Sequence, residues 1–292
     1  AAMDIPTTNA ELAQHPTIYR SDLLDGKCAM ITGGGSGMGR ATAWLAARLG
    51  AHVTICGRKE EKLKAVVEAI REKGLQADHV VVDIRSRGSV ANAFQHVGSR
   101  HGRIDILINS AGGQFPQPAI EYSEKGWDTV INTNLNGTWH MMQAAARYWQ
   151  ALATSGSIIN IVVVQQGLHG VAHTRAARAG VIALSQAVSV EWAGQGIRVN
   201  CIAPGAVQTE GWAVYSEAAR EKYPRTNPMM RAGSPWEVAE ACVYLSSPAG
   251  AWITGEVLTV DGGGQHWGEV WTTGKPEYFA AATRLWDDDS TG

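Results

Sequence analysis

The chain has 292 residues, 45% of them hydrophobic and 18% charged, with a formal net charge of −2. Such a composition supplies a sizeable core and excludes a disordered chain. A near-neutral balance without a long basic block excludes nucleic acid or an anionic membrane as the main partner and leaves small molecules.

The first 25 residues carry little periodic signal and predict a loosely attached N-terminal arm. The opening sixteen lack the basic start and apolar run of a secretory signal, no stretch reaches the roughly 20 apolar residues that span a bilayer, and the sequence does not end in S-K-L, so a cytoplasmic protein is expected. From Lys27 onward short β-rich runs alternate with longer helical patterns. The strands expected in order are CAMIT, HVTIC, HVVVD, IDILIN, SIINIVV, IRVNCIA and VLTV. Between them, apolar residues at helical spacing mark GRATAWLAARLG, EEKLKAVVEAIREKG, GSVANAFQHVGSRHG, one long helix over 125–152, TRAARAGVIALSQAVSVEWAG and PWEVAEACVYLSS. This alternation predicts one α/β domain over 26–263, a doubly wound, seven-stranded parallel sheet with helices on both faces. Beyond it, 264–292 form an extension rich in aromatic residues: Trp267, Trp271, Tyr278, Phe279 and Trp286. The extension is expected either to dock near the substrate pocket of the same or a neighbouring subunit, or to lie as a surface strap. Cys28, Cys56, Cys201 and Cys242 are widely separated, with no Cys/His cluster at ligand spacing, so reduced thiols and no metal are expected.

The first strand runs into a glycine turn and then a helix. Gly33, Gly37 and Gly39 follow a G-x-x-x-G-x-G spacing, and with Ser36 and Met38 they let the backbone approach a diphosphate at the helix N-terminus. Strand, glycine turn and helix in that order are a Rossmann-type dinucleotide site. The second strand ends about 20 residues later, where the adenosine ribose is read. Gly57-Arg58-Lys59 stands there, with no carboxylate before Glu60. Arg58 suits charge-assisted contacts to a 2'-phosphate, which favours NADPH over NADH. The alternative is that Arg58 and Lys59 merely begin a solvated helix.

From Leu24 to Gly263 the sequence resembles the short-chain dehydrogenase/reductase family. The resemblance assigns adenine binding to Asp83, beside Ile84, and places Asn109 and Ala111 in the motif next to the fourth strand. It makes Asn134 the organiser of the active-site water. It brings Pro204, Gly205, Val207 and Thr209 to the nicotinamide, and it includes the closing VDGG at 260–263. At the positions of the family's catalytic tyrosine and lysine, however, stand Thr174 and Arg178, and the catalytic serine is missing because the preceding strand runs on as IVVVQQ. A threonine hydroxyl is too weak an acid to replace a phenol, and arginine, always protonated, cannot relay a proton.

Reduction of a ketone localises charge on an alkoxide and leans on a matched general acid. Hydride addition to the β-carbon of an α,β-unsaturated thioester instead gives an enolate that hydrogen-bond donors alone can stabilise. The segments Ala111 to Phe115, Lys125 to Trp127 and His173 to Gly180 resemble trans-2-enoyl-CoA reductases of the peroxisomal type. Bacterial relatives with a similar stretch also include enzymes of terpenoid alcohol oxidation. The expected reaction is therefore NADPH-dependent reduction of an enoyl thioester or a similar conjugated carbonyl. Asn134 would position water, Arg178 would hold the ribose, and His173 or Thr174 would donate to the oxyanion. For His173 a purely structural helix-start role stands beside this, and for Thr174 an N-cap role. The apolar loop 206–234, with Trp212, Tyr215 and Tyr223, suits a lid, or else local packing. Two alternatives remain: an NAD(P)-dependent alcohol dehydrogenase or ketoreductase with a hydrophobic substrate, and an NADP-binding scaffold that has lost catalysis. By the same resemblance the assembly is a homotetramer built through 125–152 and 172–192.

Overall fold

The computed structural model describes residues 5–166, 169–268, 272 and 277. Seven parallel strands form one sheet in the order β3-β2-β1-β4-β5-β6-β7. They are β1 (Cys28–Thr32), β2 (His52–Gly57), β3 (Ala77–Val81), β4 (Ile106–Asn109), β5 (Gly156–Ile161), β6 (Ile197–Pro204) and β7 (Val257–Val260). The helices are α1 (Asn9–Gln14), α2 (Gly37–Arg48), α3 (Glu60–Glu72), α4 (Arg87–His101), α5 (Glu124–Ile131), α6 (Thr138–Ala151), α7 (Ala172–Ala193), α8 (Glu217–Lys222) and α9 (Pro235–Ser246).

Central strands covered on both faces require continuous apolar runs, and CAMIT is buried at every position. On one face α2, α3 and α9 pack through Trp44, Leu45, Leu63 and Trp236. On the other, α4 and α6 pack through Phe94, Met141 and Trp149. The chain reverses direction across the sheet between β1 and β4, so their carboxyl ends open a crevice, the usual ligand position in such sheets.

The arm is not loosely attached. Its helix α1 is closed by a capping box between Thr8 and Glu11, and Leu12 is buried against the core. Trp44 Nε1 donates to Asn9 Oδ1 (2.9 Å), and Arg48 donates to the carbonyls of Leu12 (3.0 Å) and His15 (2.7 Å). Trp236 Nε1 donates to Pro16 O (3.1 Å) and the Tyr19 hydroxyl to Glu240 O (2.9 Å). What holds the arm is buried Leu12 together with single hydrogen bonds to α2 and α9, in most of which the arm accepts and in one of which Tyr19 donates, and these leave no apolar period in the arm itself.

Three further boundaries differ. The long helix expected over 125–152 is interrupted by a π-helical segment, Asn132–Gly137, between α5 and α6. There Thr133 Oγ1 donates to Thr129 O (2.8 Å) and Thr138 Oγ1 to Asn134 O (2.9 Å), in a run of asparagines and glycine that are weak helix formers. The third strand spans Ala77–Val81, so Asp83 lies in the loop beyond it. Helix α7 begins at Ala172, two residues earlier than expected, with Val171 as its N-cap. Of the C-terminal extension, Gly264–His266 forms a 3₁₀ turn; Trp271, Tyr278, Phe279 and Trp286 lie outside the described residues.

At the sheet edge opposite the crevice, His52, Asp78 and His101 converge. Asp78 Oδ2 lies 3.3 Å from His52 Nε2 and 2.8 Å from His101 Nε2, with Arg100 Nε at 3.1 Å. Burial would raise the carboxyl, but hydrogen bonds from His52, Thr54 and His101 outweigh it and hold Asp78 well below the usual carboxylate range. The bond to Asp78 raises His52. The stability linked to Asp78 is present above about pH 4 and lost in acid, while that linked to His52 is full below about pH 6.5 and fades as the imidazolium deprotonates. Asp78→Asn should therefore cost more stability at pH 5.5 than at pH 8.5, as read by thermal unfolding of both proteins; an equal cost at the two pH values would refute the coupling. For the arm, Leu12→Ala should lower stability by about 2–5 kcal/mol in urea unfolding, the range for a buried leucine.

Candidate active site

The turn after β1 is possible only with glycine at its first position. Gly33 has φ +68°, and a Cβ there would lie 2.8 Å from Ser110 O. Thr32 Oγ1 accepts from the amides of Ser110 (3.1 Å) and Ala111 (3.0 Å), which ties the ends of β1 and β4 together. Ser36 caps α2 with an extended backbone and no side-chain cap bond. The first amides of α2 are thus left without an internal cap, and the positive helix end faces the crevice.

A cavity of about 360 Å³ opens there. Among the residues expected to bind cofactor, Gly33, Ser36, Gly37 and Met38 line its floor, Arg58, Asp83 and Ile84 one end, and Ala111 and Thr209 the other. The remaining ones stand behind the wall. Gly39 packs against the turn, and Asn109 donates to Asn160 Oδ1 (2.8 Å), which in turn bonds Ser185 (2.9 Å), a buried polar chain joining β4, β5 and α7. Pro204 ends β6, and Gly205 N donates to Val260 O (3.0 Å). Val207 is buried and forms a parallel bridge with Gly233 at the stem of the loop.

Sequence reasoning missed three charged lining residues: Lys62, Arg85 and Glu210. Lys62 lies four residues after Arg58, so the basic group there comprises Arg58, Lys59 and Lys62, all exposed. Arg85 pairs with Asp83 (2.7 Å) and, with burial opposing, holds that carboxyl below its ordinary value. No pattern in the linear sequence marked Glu210, which arrives from the loop after β6.

Of the four expected catalytic residues, Asn134 and Arg178 meet the segment Ala111 to Gly113, while His173 and Thr174 lie in the first turn of α7. Asn134 sits in the π-helical segment, where both ends of its amide are engaged: Oδ1 accepts from Gly113 N (3.0 Å) and Nδ2 donates to Gly113 O (2.8 Å). Arg178 is buried. Its Nη2 reaches Ala111 O at 3.4 Å, and only a glycine at 112 leaves room for it, since a Cβ would lie 2.1 Å from that nitrogen. Its Nη1 has no partner among the described residues. Burial brings this guanidinium down to about 10, which leaves it charged at neutral pH.

Thr174 is the third residue of α7, not its N-cap, and its buried hydroxyl also lacks a partner among the described residues. His173 is fully buried. Its ring stacks on Tyr122 (4.4 Å, 7°) and meets Phe115 edge-on (4.5 Å, 82°), while Nδ1 accepts from Thr174 N (2.8 Å). Burial lowers its pKa, so the ring is neutral. These contacts pack the ring between two aromatics, while its Nε2, like the Thr174 hydroxyl, has no partner among the described residues.

Above the crevice, the loop after β6 is closed at its stem by Gly233 N to Ala206 O (2.8 Å) and Gln208 N to Gly233 O (2.9 Å). Tyr223 packs edge-on against Trp212 (5.1 Å) and Tyr215 (5.3 Å), and Gln114 Nε2 donates to the Tyr215 hydroxyl. The glycine turn, the positive end of α2, the basic group at 58–62 and the unpartnered atoms of Arg178 and Thr174 fit a dinucleotide with a polar acceptor beside it.

Residues 33–265 match the family model described as Enoyl-(Acyl carrier protein) reductase. A probable 2,4-dienoyl-CoA reductase of Bacillus subtilis is 37% identical over 246 residues, 82% of this chain and 97% of that protein. The 3-oxoacyl-[acyl-carrier-protein] reductase FabG of Chlamydia pneumoniae is 35% identical, covering 82% of this chain and 97% of that one. Among solved structures, the citronellol catabolism dehydrogenase AtuB of Pseudomonas aeruginosa superposes with a TM-score of 0.76 at 38% identity, over 85% of this chain and 99% of the other. With the sheet order, the glycine turn and these relatives together, the chain belongs to the short-chain dehydrogenase/reductase family and is an NAD(P)-dependent oxidoreductase.

Proposed function

We propose that this chain is an NADPH-dependent reductase of an α,β-unsaturated thioester or a similar conjugated carbonyl. The observation that carries this reading is the pair Thr174 and Arg178, buried where the family keeps its phenol and ammonium, with a hydroxyl and a guanidinium nitrogen left unpartnered. A buried donor without an acceptor costs roughly 1–3 kcal/mol, so an oxygen acceptor from a ligand is favoured there. The 2,4-dienoyl-CoA reductase relatives support the same class of substrate.

A bound nicotinamide supplies the hydride. Addition at the β-carbon of the conjugated substrate puts negative charge on its carbonyl oxygen. The Thr174 hydroxyl and an Arg178 N–H meet charge at that end of the site, where one well-placed donor is worth roughly 3 kcal/mol. A fixed cation and a hydroxyl suffice because the enolate takes its proton at carbon, from water. Asn134 braces Gly113, and through it the backbone against which Arg178 is held, so we assign it positioning rather than direct contact with water. The exposed basic group at Arg58, Lys59 and Lys62 supports the phosphorylated cofactor over NADH.

A ketoreductase or alcohol dehydrogenase is the second reading. The relatives FabG and AtuB favour it, as does the Tyr215 phenol, which Gln114 joins to the loop beside Gly113. We also propose, on family analogy, a homotetramer built through α5, α6 and α7.

With crotonyl-CoA and NADPH the saturated thioester is the expected product; turnover of alcohols or ketones alone would transfer the assignment to the second reading, and NADPH binding without turnover of any of them to a scaffold. Arg178→Ala should reduce kcat/KM by about 100-fold or more, equivalent to roughly 3 kcal/mol. By contrast His173→Ala should lower the melting temperature while leaving turnover of the folded protein within about threefold. Loss of turnover by His173→Ala at an unchanged melting temperature would return that residue to the chemistry. Arg58→Ala should raise KM for NADPH by roughly tenfold, the scale of one charge-assisted contact, and leave KM for NADH unchanged.

A further inference from the structure

Glu210 begins the 3₁₀ turn that opens the lid segment after β6. Its carboxylate is not held by packing, for the side chain is 49% exposed. Two contacts fix it. Oε2 accepts from the amide of Gly37, the first residue of α2, at 3.0 Å, and Oε1 meets Arg40 Nη2 at 2.6 Å. Arg40 projects from the first turn of the same helix and is itself mostly buried; its guanidinium also donates to the Thr7 carbonyl of the N-terminal arm. A negative group therefore rests on the positive end of the dinucleotide helix, bonded to a backbone amide and paired with a fixed cation.

Those are the two attractions that recruit a diphosphate to such a helix end. A diphosphate seated in the glycine turn competes with Glu210 for the Gly37 amide, and two like-charged groups at one donor repel each other. We propose that Glu210 is an internal surrogate for the cofactor's diphosphate, so that dinucleotide binding and release of the lid from α2 are a single exchange. The carboxylate that leaves Gly37 is the head of the segment carrying Trp212, Tyr215 and Tyr223, so occupancy of the cofactor site is communicated directly to the residues over the substrate side. The exchange lowers the apparent affinity for dinucleotide by the fraction of molecules in which Glu210 holds the site.

This rests on a dinucleotide occupying the glycine turn, and the test separates the two claims. Dissociation constants of the full chain, Glu210→Gln and Glu210→Ala are measured by tryptophan fluorescence for NADPH, ADP and adenosine 2'-monophosphate, the last lacking a diphosphate. Expected is tightening of roughly tenfold for NADPH and ADP in both variants, with adenosine 2'-monophosphate unchanged. A residue with a merely structural role would not improve binding when removed. Equal or weaker binding of NADPH and ADP by the variants overturns the exchange while leaving the cofactor site intact. Equal tightening for adenosine 2'-monophosphate also overturns it, since that result reports a general charge effect. Failure of the unsubstituted chain and both variants to bind any of the three overturns the cofactor site itself, and the exchange with it.

Discussion

The two bonds accepted by Thr32 Oγ1 hold the whole site in place. One hydroxyl at the end of β1 takes the amides of Ser110 and Ala111 at the end of β4, across the seam where the sheet's winding reverses. On one side of that seam Gly33 turns the chain into α2. On the other, Gly112 and Gly113 run on beside Arg178 and Asn134. The glycine turn and the segment beside Arg178 are thereby registered by a single small side chain, buried with 1% exposure. Parallel strands make this possible because all their carboxyl ends lie at the same edge.

The same crowding explains how an arginine is tolerated inside the domain. A buried guanidinium is expensive unless its donors are met. Ala111 O meets one nitrogen at 3.4 Å while Nη1 stays open. A core arginine satisfied on all sides would be a structural device; this one keeps a nitrogen without a partner among the described residues, behind Ala111 and Gly112, which line the cavity. Burial does not discharge it, since a value near 10 still leaves the cation intact at neutral pH. Such a group offers fixed positive charge and no proton.

Much of this was legible in the linear sequence because it is written in local patterns. The glycine turn sits between an apolar run and a 3.6-residue period, and most strands show as short runs rich in Val and Ile. The replacement of phenol and ammonium by Thr174 and Arg178 was also plain, because both lie within one helical turn. What escaped was contact between segments that share no pattern. His52, Asp78 and His101 come from β2, β3 and α4 and meet only when the strands pair. Glu210 lies 173 residues from Gly37, and nothing around it distinguishes it from other surface glutamates. The π segment was hidden for another reason: Asn132–Gly137 carries a single apolar residue, Leu135, between two apolar-periodic stretches, and nothing in residue type separates a π from an α turn there.

The clasp between the arm and α9 also has a consequence for the order of assembly during synthesis. Pro16 and Tyr19 bond to Trp236 and Glu240, 220 and 221 residues further along the chain. Translation proceeds from the amino end, so the arm emerges long before α9 and must wait for it before these bonds can form. Until then its polar groups are met by water, and the apolar faces of α2 that α9 covers remain bare on the nascent chain. Closure of this long loop is therefore a late, cooperative event, and the interval before it is when the unfinished polypeptide is most exposed to chaperones and to aggregation.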